Sequence, residues 1–230
     1  MKILAIIPAR GGSKRLPEKN IKPLGGKPLI NWTIESTLGI PQICHTLVST
    51  DNNTISQMAV SAGAYVPWLR PDLLATDEAT TISVALHSLD WYENNHEEVD
   101  GLLLLQPTSP FRTRKSIEAG IAIFEKNGGS PVIAVSKAQD HPKWTLKQEG
   151  DYLTPFLGEI GFASRSQDLE PAFAVNGSFY LCSPGDLRRN NSFFGPKISG
   201  LLIDSPLEAI DIDTPWDFKL AEILYQIELE

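Results

Sequence analysis

Cysteine is nearly missing from this chain: Cys44 and Cys182 are the only two in 230 residues. Two cysteines so far apart support neither a disulfide framework nor a C-x-x-C site, and a reducing cytoplasm is the simple expectation. Histidine is also sparse. His45, His87, His96 and His141 stand apart without metal-ligand spacing, and His87, inside a helical pattern, reads as structural. No apolar run approaches the ~20 residues of a membrane span, and Ile3 to Ile7 is too short for the core of a secretion signal. Net positive charge is lacking too. The formal charge of −8 argues against nucleic acid or an anionic membrane as partner. No internal repeat or low-complexity tract occurs, and without a G-x-S-x-G elbow no hydrolase nucleophile is suggested.

What is present suits a globular chain with a sizeable core, one domain by default and two at most. Ile3 to Ile7 is an apolar, mostly β-branched run with no polar gap, the pattern of a strand buried on both faces of a parallel sheet. Pro8 should stop its ladder. A loop follows that holds six of the chain's twenty Lys and Arg residues between Arg10 and Lys27, against one acid, Glu18. Glycines at 11 and 12 let backbone N–H groups turn toward an anion, and Lys and Arg supply charge and donors. In an acidic chain this local reversal points to an anionic ligand, though an ordinary solvated basic loop would look similar. Two common phosphate motifs are excluded. Gly12 is followed by Ser13 before Lys14, so G-x-x-x-x-G-K-[ST] fails, and G-x-G-x-x-G is absent. Pro17 also prevents a helix from starting here.

Strand and helix patterns then alternate. Helices are expected at Leu29 to Leu38, Thr54 to Ala62, Thr81 to Tyr92 and Arg114 to Lys126. Strands are expected at Ile43 to Ser49, Ala64 to Trp68, Val99 to Leu105 and Pro131 to Val135. The rhythm predicts an α/β fold with a mostly parallel sheet. It breaks over 138–197, which is rich in Pro, Gly, Asn and Ser and reads as an inserted subdomain within a single 1–230 domain. Its aromatics Trp144, Tyr152, Phe156 and Phe162 look exposed, and a loop that long is uncommon inside a compact domain. Strands resume at Ile198 to Ile203 and Ala209 to Ile212. A last helix starts at Thr214, with Pro215 at its first position and Asp217 reaching back as a capping acid. Trp216, Leu220, Ile223, Leu224 and Ile227 form its apolar stripe.

Ligands in open α/β sheets sit beyond the carboxyl ends of the strands. Three polar clusters fall there: the opening loop, Gln106 to Pro110, and Asp211-Ile212-Asp213. Asp211 and Asp213 are two apart on an expected strand, so both should share one face. Carboxylates that close repel unless a cation sits between them, and Mg²⁺ beside a phosphate loop is a fitting one. Two solvated acids ahead of a helix N-terminus are the plainer reading. Phe193-Phe194, taken alone, reads as core.

The run Pro8-Ala9-Arg10-Gly11-Gly12-Ser13-Lys14-Arg15-Leu16-Pro17-Glu18-Lys19-Asn20-Ile21 resembles the signature of the cytidylyltransferases that activate sialic acid and its relatives, the CMP-acylneuraminate synthetases. The likeness extends over nearly the whole chain. It implies a nucleotidyltransferase-type, Rossmann-like α/β fold with a small dimerisation subdomain. It also implies a reaction in which CTP and a nine-carbon 2-keto sugar acid give the CMP-sugar acid and pyrophosphate. By resemblance Ala9, Arg10, Ser13, Lys14 and Asn20 hold the nucleotide, with Arg70, Thr80 and Thr81 as cytosine contacts. Arg10, Lys14 and Lys19 offset charge on the triphosphate, and Asp211 and Asp213 carry the catalytic Mg²⁺. Gln106, Asn176, Tyr180, Phe193 and Phe194 resemble the sugar-acid pocket. Arg165 resembles a basic residue that reaches a neighbouring subunit's site, as in a homodimer. Two departures fall in the sugar half. Ala174-Val175 stands where relatives often have Arg-Pro, and His141-Pro142 is followed directly by Lys143-Trp144. A 7-amino-substituted acid such as legionaminic acid is therefore a serious competitor to sialic acid. Pseudaminic and 3-deoxy-octulosonic acids, or a non-catalytic nucleotide-binding regulatory role, are the alternatives.

Overall fold

The computed structural model describes residues 1–158 and 165–228. The first strand, β1 (Ile3–Pro8), leads through the opening loop to a two-residue antiparallel pair, β2 (Pro23–Leu24) and β3 (Lys27–Pro28). Then come α1 (Leu29–Thr37), β4 (Ile43–Ser49), α2 (Asn53–Ser61), α3 (Thr81–Asn95), β5 (Gly101–Leu104), α4 (Arg114–Lys126) and β6 (Val132–Lys137). A hairpin of β7 (Leu146–Glu149) and β8 (Tyr152–Pro155) precedes β9 (Phe173–Cys182), α5 (Pro184–Asn190), β10 (Ser199–Leu202) and α6 (Pro215–Glu228).

Six strands form the central sheet in the order β10-β6-β9-β5-β1-β4. β1 runs parallel to both β4 and β5, and β10 runs parallel to β6. Parallel sheets carry helices on both faces, so their strands are apolar on both sides. Ile3 to Ile7 accordingly have no exposed surface. Alternate residues point to opposite faces. Ile3, Ala5 and Ile7 pack with Ile34 of α1, Ile55 of α2 and Ile117 of α4, whereas Leu4 and Ile6 pack with Val84 and Leu89 of α3 and Leu187 of α5. A third cluster joins Leu16 of the opening loop to Phe111, Ile212 and Phe218. It is this cluster that brings residues far apart in sequence to one end of β1.

Several expectations are corrected. Ala64 to Trp68 forms no strand and contributes one bridge, Leu47 to Tyr65. The stretch 138–197 is not wholly an insertion, because β9 lies inside the central sheet, antiparallel to both β5 and β6. Asn176-Gly177 reads locally as a turn. In the fold Gly177 takes φ 80°, and the register with β6 shifts between Ile133 and Val135, so the strand kinks and continues. Ala209 to Ile212 is loop, held where Ile212 N–H donates to the Thr108 carbonyl at 2.8 Å. On α6 the expected stripe faces outward. Trp216, Leu220, Ile223 and Ile227 are exposed, while Phe218 and Ala221 are buried. The α6 cap is as expected: Asp217 Oδ2 accepts from Thr214 N at 2.7 Å, and Thr214 Oγ1 accepts from Asp217 N. Phe162 lies outside the described residues.

Candidate active site

The loop after β1 is held at both ends. Ala9 N–H extends the ladder by donating to the Ser49 carbonyl at 2.9 Å. Gly11 N–H donates to Asp51 Oδ1 at 2.8 Å, and the side chain of Asn20 donates to the Arg10 carbonyl at 2.9 Å. A Cβ added at Gly11 would come within 2.9 Å of Asn52 Nδ2. Only glycine allows the loop to lie that close to the N-cap of α2. Buried Leu16 then anchors the loop's middle.

Anchored this way, the loop turns its cations into a cleft of about 600 Å³. Arg10, Ser13, Lys14, Lys19 and Asn20 line it, together with Arg70, Thr81, Gln106, Asp211 and Asp213. The fold thus brings most of the expected nucleotide and metal residues together. Two act from outside the lining. Ala9 is buried. Thr80 caps α3, its hydroxyl oxygen accepting from Ser83 N at 3.1 Å. Arg70 is buried and engaged. Its guanidinium donates to the Ser49 hydroxyl at 3.0 Å and to the Ser49 carbonyl. Burial lowers its pKa to about 10, with Asp51 opposing, so it remains a cation at neutral pH.

The two acids differ. Asp213 meets Lys19 at 2.9 Å and Arg15 at 2.7 Å, and Lys19 also donates to the Ile212 carbonyl at 3.1 Å. Among the described residues Asp211 has no such pair. Burial pushes its carboxyl above the usual range, a bond from Thr108 pulls it back, and Asp213 raises it further. The protein supplies two carboxylates on a loop. Among the described residues, no group of three or more His, Cys, Asp or Glu is arranged to hold a metal. That donor set fits Mg²⁺, which takes one or two carboxylates and completes its shell with water and substrate phosphate.

Gln106 stands where the cleft branches. One branch, of about 220 Å³, is walled by Ile82, Leu104, Tyr180, Phe193 and Phe194. The other, of about 610 Å³, is more polar and includes Lys137, Asp140, Asn176, Tyr180 and Asp211. Asn176 is occupied within the protein. Its Oδ1 accepts from Ser178 N and Oγ, and its Nδ2 donates to Ser136 Oγ at 2.9 Å. It therefore shapes the wall. Phe193 belongs to the core and also faces the branch, whereas Phe194 is 45% exposed. Arg165 is not among these residues. It lies exposed, paired with Asp168 at 2.9 Å.

Sequence reasoning missed four participants. Arg15 binds Asp213, Asp51 holds the loop, Asp77 binds Arg10 and Lys14, and Arg112 sits buried between two walls. Arg112 donates to the carbonyls of Gln106, at 2.9 Å, and Ser178. Its signal was present in Pro110-Phe111-Arg112: an arginine amid apolar residues must find buried acceptors.

A cleft with a basic loop on one wall, two acids on another and a branched annex suits a nucleotide and an acceptor held side by side. On a mostly parallel α/β sheet, it defines a nucleotidyltransferase. Within that class the chain belongs to the cytidylyltransferase family, whose model matches residues 4–141. It is 40% identical to the CMP-N,N'-diacetyllegionaminic acid synthase of Legionella pneumophila, over 100% of this chain and 99% of that one. It is 30% identical to the pseudaminic acid cytidylyltransferase of Campylobacter jejuni over the same shares. The N-acylneuraminate cytidylyltransferase of Streptococcus agalactiae is 33% identical over 95% of this chain but 52% of its own length. The fold matches that of a CMP:2-keto-3-deoxy-manno-octonic acid synthetase solved with CTP, at TM-score 0.72 and 17% identity, over 99% of this chain and 100% of that one.

Proposed function

We propose that this cytidylyltransferase joins CMP from CTP to the anomeric hydroxyl of a nine-carbon 2-keto sugar acid, and that the preferred acid is of the diacylated legionaminic type. The observation that carries this reading is the branching at Gln106, where the cation-lined cleft opens into an apolar arm and a polar arm. An acceptor seated there brings its hydroxyl toward the α-phosphorus, with Asp211 facing both spaces. The hydroxyl oxygen bonds to the α-phosphorus and loses its proton, and the bond from that phosphorus to the β-phosphate oxygen breaks. Such transfer is chiefly positioning plus charge stabilisation. Arg10, Lys14 and Lys19 offset the charge leaving on pyrophosphate. Asp211 and Asp213 would hold Mg²⁺, which supplies further neutralisation of phosphate oxygens when bound.

Two features support the acid. The strongest relative named above makes a diacetyllegionaminic product. The apolar arm, walled by Ile82, Leu104 and Phe193, suits an acylamino group. We also infer a homodimer in the cytoplasm, with the β7–β8 hairpin as contact and Arg165 meeting the partner's site. No helix among the described residues is long and apolar enough to cross a membrane. The test supplies CTP, Mg²⁺ and a panel of acids while pyrophosphate release is followed. N,N'-Diacetyllegionaminic acid should give the highest kcat/KM, at least about tenfold above N-acetylneuraminic acid, the scale of one well-read group. A preference for N-acetylneuraminic acid would overturn the acid. No pyrophosphate with any acid would overturn the reaction and favour a regulatory nucleotide binder.

A further inference from the structure

Asp77 lies outside every motif discussed above, in the segment between Arg70 and α3. Each of its carboxylate oxygens meets a different cation of the opening loop. Oδ1 accepts from Arg10 Nη1 at 2.9 Å, and Oδ2 lies 2.5 Å from Lys14 Nζ. Arg10 Nη1 also donates to the Thr76 carbonyl at 3.4 Å. Two of the three cations proposed for the triphosphate are therefore already bridged by one anion, with the two-oxygen geometry a phosphate would present.

Stability does not account for this bridge. Lys14 and Asp77 are 75% and 51% exposed, and exposed ion pairs contribute little to folding. The segment is loosely built, with only a short 3₁₀ turn, Asp72–Leu74, before α3. Between it and Gly12 and Ser13 lies a cavity of about 370 Å³ that shares Arg10, Ser13 and Lys14 with the main cleft. An anion entering the cleft thus meets cations whose other partner is a weakly held carboxylate. Hydrogen bonds from Lys14 and then Arg10 keep the Asp77 carboxyl below its usual range, so it competes as a full anion at neutral pH.

We propose that Asp77 is a positioning residue that stands in for phosphate: it holds Arg10 and Lys14 in the empty cleft, yields them to the triphosphate of the incoming nucleotide, and takes them back as pyrophosphate leaves. The proposal rests on the cytidylyltransferase reading above. Any ligand that takes both cations must displace the same carboxylate, so Asp77 weakens CTP and pyrophosphate by a similar factor, while an anion that does not reach Arg10 and Lys14 is unaffected.

The experiment measures Kd for CTP and for pyrophosphate by calorimetry on wild type, Asp77→Asn and Asp77→Ala, and the inhibition constant of pyrophosphate in turnover. Both variants should bind pyrophosphate about two- to tenfold tighter, the range expected when two exposed competing pairs are removed. CTP affinity should rise by a similar factor, and product inhibition should deepen in step with pyrophosphate affinity. A residue that merely braced the loop would give the opposite sign, with both ligands weakened and the melting temperature lowered. Pyrophosphate affinity equal to or below that of wild type overturns the proposal while leaving the reaction standing. Failure of the wild-type protein to bind CTP overturns both.

Discussion

Asp213 sits at the meeting point of two cations, Lys19 on one oxygen and Arg15 on the other. Asp211, two residues away, is exposed to the cleft and bonded from Thr108 instead. The pair is therefore asymmetric, with one acid neutralised by the loop and the other turned toward the branches. Removing either charge should cost several kcal/mol of transition-state stabilisation. Asp211→Asn and Asp213→Asn should each lower kcat by about a hundredfold or more, with circular dichroism unchanged. A chelator should abolish wild-type turnover and Mg²⁺ should restore it. Full activity in both variants, or indifference to the chelator, would remove the metal assignment. Arg10 poses a separate question, because a guanidinium fork is not replaced by a point charge. Arg10→Lys should raise KM for CTP several-fold, and an unchanged KM would show that its charge alone suffices.

At the scale of elements, the packing of α4 on β9 decides how well the acceptor wall is held. A Cβ on Gly120 would come within 2.4 Å of the Phe179 ring, so the helix approaches the strand as closely as a side chain permits. Overpacking a filled core costs about 1–3 kcal/mol. Gly120→Ala should therefore lower the melting temperature by about 2–10 °C for a chain of this size, despite alanine's better helix propensity. CTP affinity should stay near that of wild type, since the nucleotide residues lie on other elements. A stabilised Gly120→Ala would mean that Phe179 moves aside freely. The periodicity of α4 was legible in sequence, and its bounds are those expected, Arg114–Lys126. The reason for a glycine inside it was not, because Phe179 comes from a strand that its local sequence disguises as a turn.

The whole molecule leaves a set of large apolar side chains uncovered around the β7–β8 hairpin. Tyr152, Leu153, Phe156 and Leu157 are 78%, 65%, 61% and 62% exposed. A lone two-stranded hairpin is at best marginally stable in water, so a second surface is needed to order it. A second copy of this chain is the proposed surface. Light scattering at micromolar concentration should give a mass near twice 25.3 kDa. Tyr152→Glu with Phe156→Glu should shift it toward the monomer and lower turnover if Arg165 serves the partner's site. A wild-type monomer would exclude the assembly.

By itself the sequence determined what is set within a few residues. It carried the buried first strand, the basic loop after it, the α4 helix, and the Thr214–Asp217 cap of α6. Period, charge and capping are local properties, and they suffice to mark an α/β chain with a basic loop beyond its first strand. Only the tertiary structure decided which partners those pieces take. It placed β9 between β5 and β6, set the acid pair on a loop, and turned the apolar stripe of α6 outward. It also brought Asp77 to Arg10 across 67 residues. The physical reason is that an acid, a strand edge or an apolar stripe has the same local pattern whatever it meets. Its partner is selected by the closure of the whole sheet and by the burial that closure makes possible.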